Sequence, residues 1–155
     1  MRPGVRLGVD VGRARIGVAR SDASAILAVP VETVARRAEG DDDVRRILAI
    51  AEEYDAFELV VGNPLSMSGA TTASTADAVA FAERLAAAGA HVRLVDERLS
   101  TVSAQQALRA AGKSSRKQRP IVDQAAAVII LQHAIDAERA SGAPPGRTII
   151  ADEGP

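Results

Sequence analysis

Val5-Arg-Leu-Gly-Val-Asp10-Val-Gly12 is the stretch that decides the fold. Val5, Leu7, Val9 and Val11 alternate with Arg6, Gly8, Asp10 and Gly12, the period-two pattern of a strand whose two faces meet different surroundings. One face is aliphatic throughout, and the other sets a carboxylate between two glycines. From these neighbours alone Asp10 has two readings. The glycines leave room for something bulky, as a metal ligand beside a phosphate would need, or they serve only the backbone geometry of a nearby turn.

Working outward, Gly12-Arg-Ala-Arg15 is a tight connection into a strand from Ile16 to Arg20, and Ala28 to Val34 is a third strand that Pro30 confines to a sheet edge. Asp41-Asp-Asp43 precedes Val44, Ile47, Leu48, Ala51 and Tyr54, a helical spacing with the acids at the positive end of the dipole, so the acidic run is read as a helix start. Phe57 to Gly62 is a short buried strand, Ala73 to Ala88 a helix closed by Gly89, and Val92 to Asp96 another strand. Ser100 and Thr101 cap a helix from Val102 to Ala111, and Pro120 opens a longer one to about Ala140. A meander followed by alternating helices and strands is an α/β domain with a mixed sheet. The 155 residues, 47% apolar, suffice for one such domain over residues 1–140. Ser141-Gly-Ala-Pro-Pro-Gly146 breaks the pattern, and 141–155 is expected to be a flexible tail.

Composition narrows the chemistry. The absence of cysteine excludes disulfides, thiolate metal sites and cysteine nucleophiles. Nineteen basic against twenty acidic residues leave a net charge of −1, so any affinity for nucleic acid must come from local clustering. Asp10 arrives before a secretory apolar run could form, and the longest apolar run, Ala125 to Leu131, cannot span a bilayer; the expected location is the cytoplasm, with no membrane partner.

Two further places carry acids with a chemical rationale. In Val92-Arg-Leu-Val-Asp96-Glu97-Arg98 an apolar strand gives way to a helix cap, which is where α/β sheets build sites. Side chains alternate, so at most one of Asp96 and Glu97 faces the cleft of Asp10, and the other is expected to pair with Arg98 or Arg93. Asp123 lies in the first turn of the last helix with Ala126, Ala127 and Ile130 on its face, an inward-looking acid that a cation would satisfy and that the helix dipole would also favour. Separated acids without thiols suit hard cations, Mg²⁺ or Mn²⁺. His91 and His133 sit among apolar residues and are given structural roles.

Leu7-Gly-Val-Asp10-Val-Gly-Arg-Ala-Arg15-Ile-Gly-Val-Ala-Arg-Ser-Asp22, Val60-Val-Gly-Asn-Pro-Leu65-Ser-Met-Ser-Gly69, Asp96-Glu-Arg-Leu-Ser-Thr101 and Asp123-Gln-Ala-Ala-Ala-Val-Ile-Ile-Leu-Gln132 occur in one order, and together they closely resemble the YqgF/RuvX family over residues 5–140. The resemblance implies a ribonuclease H-like fold, with a mixed five-stranded sheet and helices on both faces, similar to that of RuvC-type Holliday-junction resolvases. It implies a nuclease that processes the 5′ end of the small-subunit ribosomal RNA precursor, with resolution of branched DNA as the alternative. Asp10, Glu97 and Asp123 would be the catalytic, metal-binding carboxylates, and water activated on one or two Mg²⁺ or Mn²⁺ ions would attack the phosphodiester. Two departures from the RuvC pattern bear on metal number: the strand ending at Gly62-Asn63-Pro64 carries no acid, and the last helix has a single Asp.

Lys113-Ser-Ser-Arg116-Lys117-Gln-Arg119 holds four cations and no acid just before Asp123 and is expected to be a loop contacting phosphates; Arg13, Arg15 and Arg98 are further candidates. Tyr54, Phe57 and Phe81, the only aromatics, lie on apolar stretches, so structured RNA or branched DNA fits better than stacked single strands, and a homodimer would suit a branched substrate. Two competing classes remain. An actin-like ATPase shares the Asp10-Val-Gly12 strand and turn but clamps nucleotide between two domains, and this chain supplies one. A binding protein without turnover, acting in ribosome assembly, would explain the missing acids.

Overall fold

The structure is a computed structural model, and it describes residues 1–37, 39–64, 72–96 and 115–150, with backbone only for 115–123. Three strands open the chain, β1 (Arg6–Val11), β2 (Arg15–Ser21) and β3 (Ala28–Ala35), followed by helix α1 (Asp42–Glu53), β4 (Glu58–Asn63), α2 (Ala73–Ala87), β5 (Val92–Asp96), α3 (Ser115–Ser141) and β6 (Arg147–Ile149). The sheet order is β3-β2-β1-β4-β5-β6. β1, β2 and β3 pair antiparallel, β1, β4 and β5 pair parallel, and β6 returns antiparallel along β5. This is the expected mixed α/β sheet, with Pro30 on the edge strand, where its missing N–H costs no ladder bond.

The strand count is corrected from five to six. Residues 147–149 lie in the segment expected to be a loose tail, yet Ile149 is buried in the core and Thr148 pairs with Arg93. Such a short piece needs no independent core when an existing edge supplies its hydrogen bonds. Gly146, with φ +74°, makes the entry, its Cα lying against the Leu94 carbonyl where no side chain would fit.

Alternation along the strands sorts the core into two layers. Leu7, Val9, Ile16, Val18, Leu59, Val61, Val92 and Leu94 face α1 and α2, which contribute Val44, Ile47, Ile50, Phe81, Ala82 and Leu85. Ala19, Val60 and Val95 face α3 through Ala127, Ile130, Leu131, Ala134 and Ile135. Helices thus cover both faces, as expected. α3 begins earlier than Pro120, five residues into it, because the sequence from Ser115 to Arg119 continues the helix through the one bond that proline forgoes. The expected helix from Val102 to Ala111 lies outside the described residues.

Asp43 is more than a helix-start acid. It is buried, accepts from the Arg37 N–H at 3.2 Å, and lies 3.5 Å from Arg84 and 3.8 Å from Arg36. A second ionic cluster closes the opposite end of the sheet. Glu138 of α3 takes Arg2 at 2.7 Å and Arg6 at 3.0 Å, and Glu58 takes Arg2 at 2.9 Å and Arg93 at 3.2 Å. Arg93 is thus an ion-pair partner of Glu58, and its guanidinium also reaches Thr148 on β6. Arg6 and Glu138 are 1% and 3% exposed, so neither charge could stand alone.

The Arg2 hydrogen bonds, aided by the Arg6 charge, hold the Glu138 carboxyl at about 2 against an ordinary 4.5. A lowered folded-state value means that the stabilisation is complete above pH 4.5 and drains away as the unfolded chain takes up its proton between pH 4.5 and 2. Glu138→Gln is expected to cost about 3 kcal/mol at neutral pH, because it strands the Arg6 guanidinium. Urea titrations should also show a shallower loss of stability for this variant between pH 5 and 2 than for the wild type.

Candidate functional site

The even-numbered residues of β1 form a ladder along α3. Arg6 meets Glu138 at the C-terminal end of the helix. At Gly8 the helix comes so close that a Cβ would stand 2.6 Å from the Ala127 carbonyl oxygen and 2.7 Å from the Leu131 Cβ. The space beside Gly8 is therefore filled by the protein itself, and the reading of this glycine as room for a ligand is corrected. Gly12 is likewise occupied: its N–H donates to the Arg15 carbonyl at 2.9 Å, and a Cβ there would lie 2.6 Å from that oxygen.

Asp10 is the next rung, half-buried on the face of the sheet that α3 covers. Cross-strand register shows which part of the helix it meets. Asp10 pairs with Gly17, Gly17 with Thr33, and the Thr33 hydroxyl accepts a 2.9 Å hydrogen bond from the Gln124 side-chain amide. From Ala127 back to Asp123 the helix climbs about 6 Å, close to the roughly 6.7 Å from Gly8 to Asp10 along the strand. The backbone of Asp123 is thus level with Asp10. It is also the ninth residue of α3 and not in its first turn, so the dipole, which acts within one turn, does not account for an acid there.

Asp96 ends β5 in register with Asn63, and Val95 before it faces α3, so Asp96 itself stands on the α1 and α2 side, exposed. It is thereby excluded from the face of Asp10. Glu97, Arg98 and Lys113 lie outside the described residues, as do Ser66, Ser68, Ser100 and Thr101. Arg116, Lys117 and Arg119 belong to the first turns of α3 and not to a loop; no acid accompanies them in the first turn. Cations at the positive end of a helix repel it, and an anion bound there relieves that repulsion. Arg13 is exposed and Arg15 half-buried on the hairpin between β1 and β2.

No group of three or more His, Cys, Asp or Glu side chains converges among the described residues. A half-buried carboxylate at the carboxyl ends of parallel strands, with oxygen donors and no thiols in the chain, is nevertheless chemistry that suits a hard divalent cation. The three aromatic residues offer no stacking surface. Phe57 lies under Arg2 and Arg6, Tyr54 under Arg20, and Phe81 between Arg36 and Arg84, with guanidinium carbons 4.7–5.5 Å from the ring centres.

Two groups at this end escaped the sequence reading. Gln124 and Thr33 are ordinary surface residue types whose pairing, |i−j| = 91, has no local signal. Arg36 follows an edge strand and reads as solvated charge, yet it donates to the Gly12 carbonyl at 3.0 Å and to Asp77 at 2.9 and 3.0 Å.

The family model for RuvX, described as Holliday junction resolvase, matches residues 4–137. The chain belongs to the RuvX family. Relatives in this family include a protein of Clavibacter sepedonicus, 65% identical over 96% of this chain and 93% of its own length, and one of Leifsonia xyli subsp. xyli, 60% identical over the whole of both. Both carry the provisional name of pre-16S rRNA nuclease. Among solved structures, Thermus thermophilus RuvC in complex with a Holliday junction substrate aligns over 94% of this chain and 99% of its own, with a TM-score of 0.51 and 18% identity. That likeness establishes the fold, ribonuclease H-like as expected, and membership of the RuvX family makes the chain a nuclease. Among the described residues no helix is long and apolar enough to cross a membrane.

Gly8→Ala is expected to push α3 off the sheet and to cost about 1–3 kcal/mol, the usual penalty of overpacking, measured by chemical denaturation. The same exchange at Gly89, where a Cβ meets nothing but φ is +105°, should cost only the strain of that backbone.

Proposed function

We propose that this chain is a divalent-metal-dependent nuclease that cleaves the precursor of 16S ribosomal RNA near its 5′ end, in the cytoplasm, through Asp10, Glu97 and Asp123. The observation that carries the reading is the register linking Asp10, Gly17, Thr33 and Gln124, which sets Asp10 level with the turn of α3 that bears Asp123. With Asp96 turned to the other face, Glu97, the second acid that the family resemblance implies, is the candidate for the third position. Asp10 is held by a central strand, so its carboxylate keeps one height and direction without help from a loop. Mg²⁺ or Mn²⁺, when bound by these acids, would activate water and stabilise the leaving oxygen. Lys113, Arg116, Lys117 and Arg119, together with Arg13, Arg15 and Arg98, would grip phosphates on either side of the scissile bond, in contacts that are independent of sequence. Arginine-covered aromatics leave shape and backbone as what is read, which suits a structured RNA. Branched DNA is the second reading, favoured by the description of the family.

Cleavage of a 16S precursor and of a four-way DNA junction, each with Mg²⁺ or Mn²⁺, tests both readings. Wild type should cut the RNA, and Asp10→Asn, Glu97→Gln and Asp123→Asn should each lose more than about a hundredfold, beyond what a supporting residue costs. Three variants as active as wild type would remove the site, and binding without cutting of either substrate would make the protein a binding factor. Replacing Arg116 and Lys117 with Ala should flatten the plot of log affinity against log salt by about one to two.

A further inference from the structure

The turn of the β1–β2 hairpin is braced from outside the hairpin. Arg13 and Ala14 are exposed, so the turn contributes nothing to either core layer, and the Gly12 N–H bond to the Arg15 carbonyl closes it only locally. Arg36 holds it from two sides. Its backbone N–H donates to the Ala14 carbonyl at 2.9 Å, and Nη1 donates to the Gly12 carbonyl at 3.0 Å. The same guanidinium forks onto Asp77 of α2 at 2.9 and 3.0 Å, lies 5.1 Å over Phe81 and has the buried Asp43 at 3.8 Å. With its side chain only 17% exposed, Arg36 is a rod between the turn and α2. A lysine could not take its place, because no ammonium spans a carboxylate fork and a carbonyl in one plane.

We propose that Arg36 is a positioning residue for nucleic-acid binding: it fixes the hairpin so that Arg13 and Arg15 present their charges beside the end of β1 that carries Asp10. This rests on the reading of the hairpin arginines as phosphate contacts. Asp77 and Asp43 absorb the charge of Arg36, which allows a third arginine to stand beside the other two without driving the turn outward. Arg36 itself touches no substrate. Its contribution is to spare the hairpin the entropy of being ordered at the moment of binding.

Amide exchange and metal-free binding to a four-way DNA junction and a 16S precursor, on the full chain, test this. Arg36→Lys should speed exchange of residues 12–15 about tenfold and leave β4 unchanged, with Asp77→Asn giving a smaller effect of the same kind. Affinity should fall about fivefold in Arg36→Lys, and adding that change to Arg13→Ala with Arg15→Ala should cause no further loss. Unchanged hairpin exchange overturns the proposal. So does binding that the double alanine variant weakens while Arg36→Lys does not. If neither change affects binding, the nucleic-acid reading of the hairpin is what has failed and Arg36 is not a positioning residue for it, even where faster exchange still shows the grip.

Discussion

The close approach of α3 to β1 at Gly8 is the contact on which the rest of the molecule depends. A helix is normally held off a sheet by side chains; here its backbone carbonyl comes down to a residue that has none. That contact fixes the helix in height, and β1 and α3 then meet at three successive levels, an ion pair at Arg6, a backbone seat at Gly8 and the carboxylate level at Asp10. Small residues on the helix, Ala127 above all, complete the fit. A site made of acids from a strand and a helix needs such a constraint, since a shift of one helical residue rotates a side chain by about 100° and removes it from the cleft.

Ionic groups divide the work between the two ends of the sheet. At the amino ends of the parallel strands, Arg2, Arg6, Arg93, Glu58 and Glu138 pair with one another, largely out of water, and lock the far end of α3. At the carboxyl ends the arginines serve a different purpose. Arg36 and Arg84 are neutralised by Asp77, Asp41 and Asp43 and act as braces, while Arg13 is exposed on the hairpin between β1 and β2. A net charge near zero conceals this separation. Overall composition therefore says little about nucleic acid, whereas the placement of pairs says a good deal.

Much of this was legible before any coordinates. The alternation from Val5 to Val11, the edge proline, the helix after Asp41 and the short strands before Gly62 and Asp96 all follow from periods of two and 3.6 that local sterics impose. Asp10 was legible because it interrupts an aliphatic strand. Gly8 was open to two readings, neither of them a helix: a missing side chain looks the same in sequence whether a ligand or a helix fills the gap. β6 was hidden because three residues carry too little pattern, and their hydrogen bonds come from β5. Asp43, Gln124 and Arg36 were hidden because their partners fall outside the spacing of a helix or strand, and most come from other elements.

By itself, then, the sequence determined β1 to β5, α1, α2 and the body of α3, their order, the family motifs and the candidate carboxylates, since each rests on neighbours within a turn or two. Only the tertiary structure decided that α3 fills the space beside Gly8, that Asp123 stands level with Asp10, that Asp96 faces away, and that Arg36 braces the hairpin. Those outcomes depend on register between strands and on the depth to which a helix settles, quantities set by packing across the sheet, which no local pattern encodes.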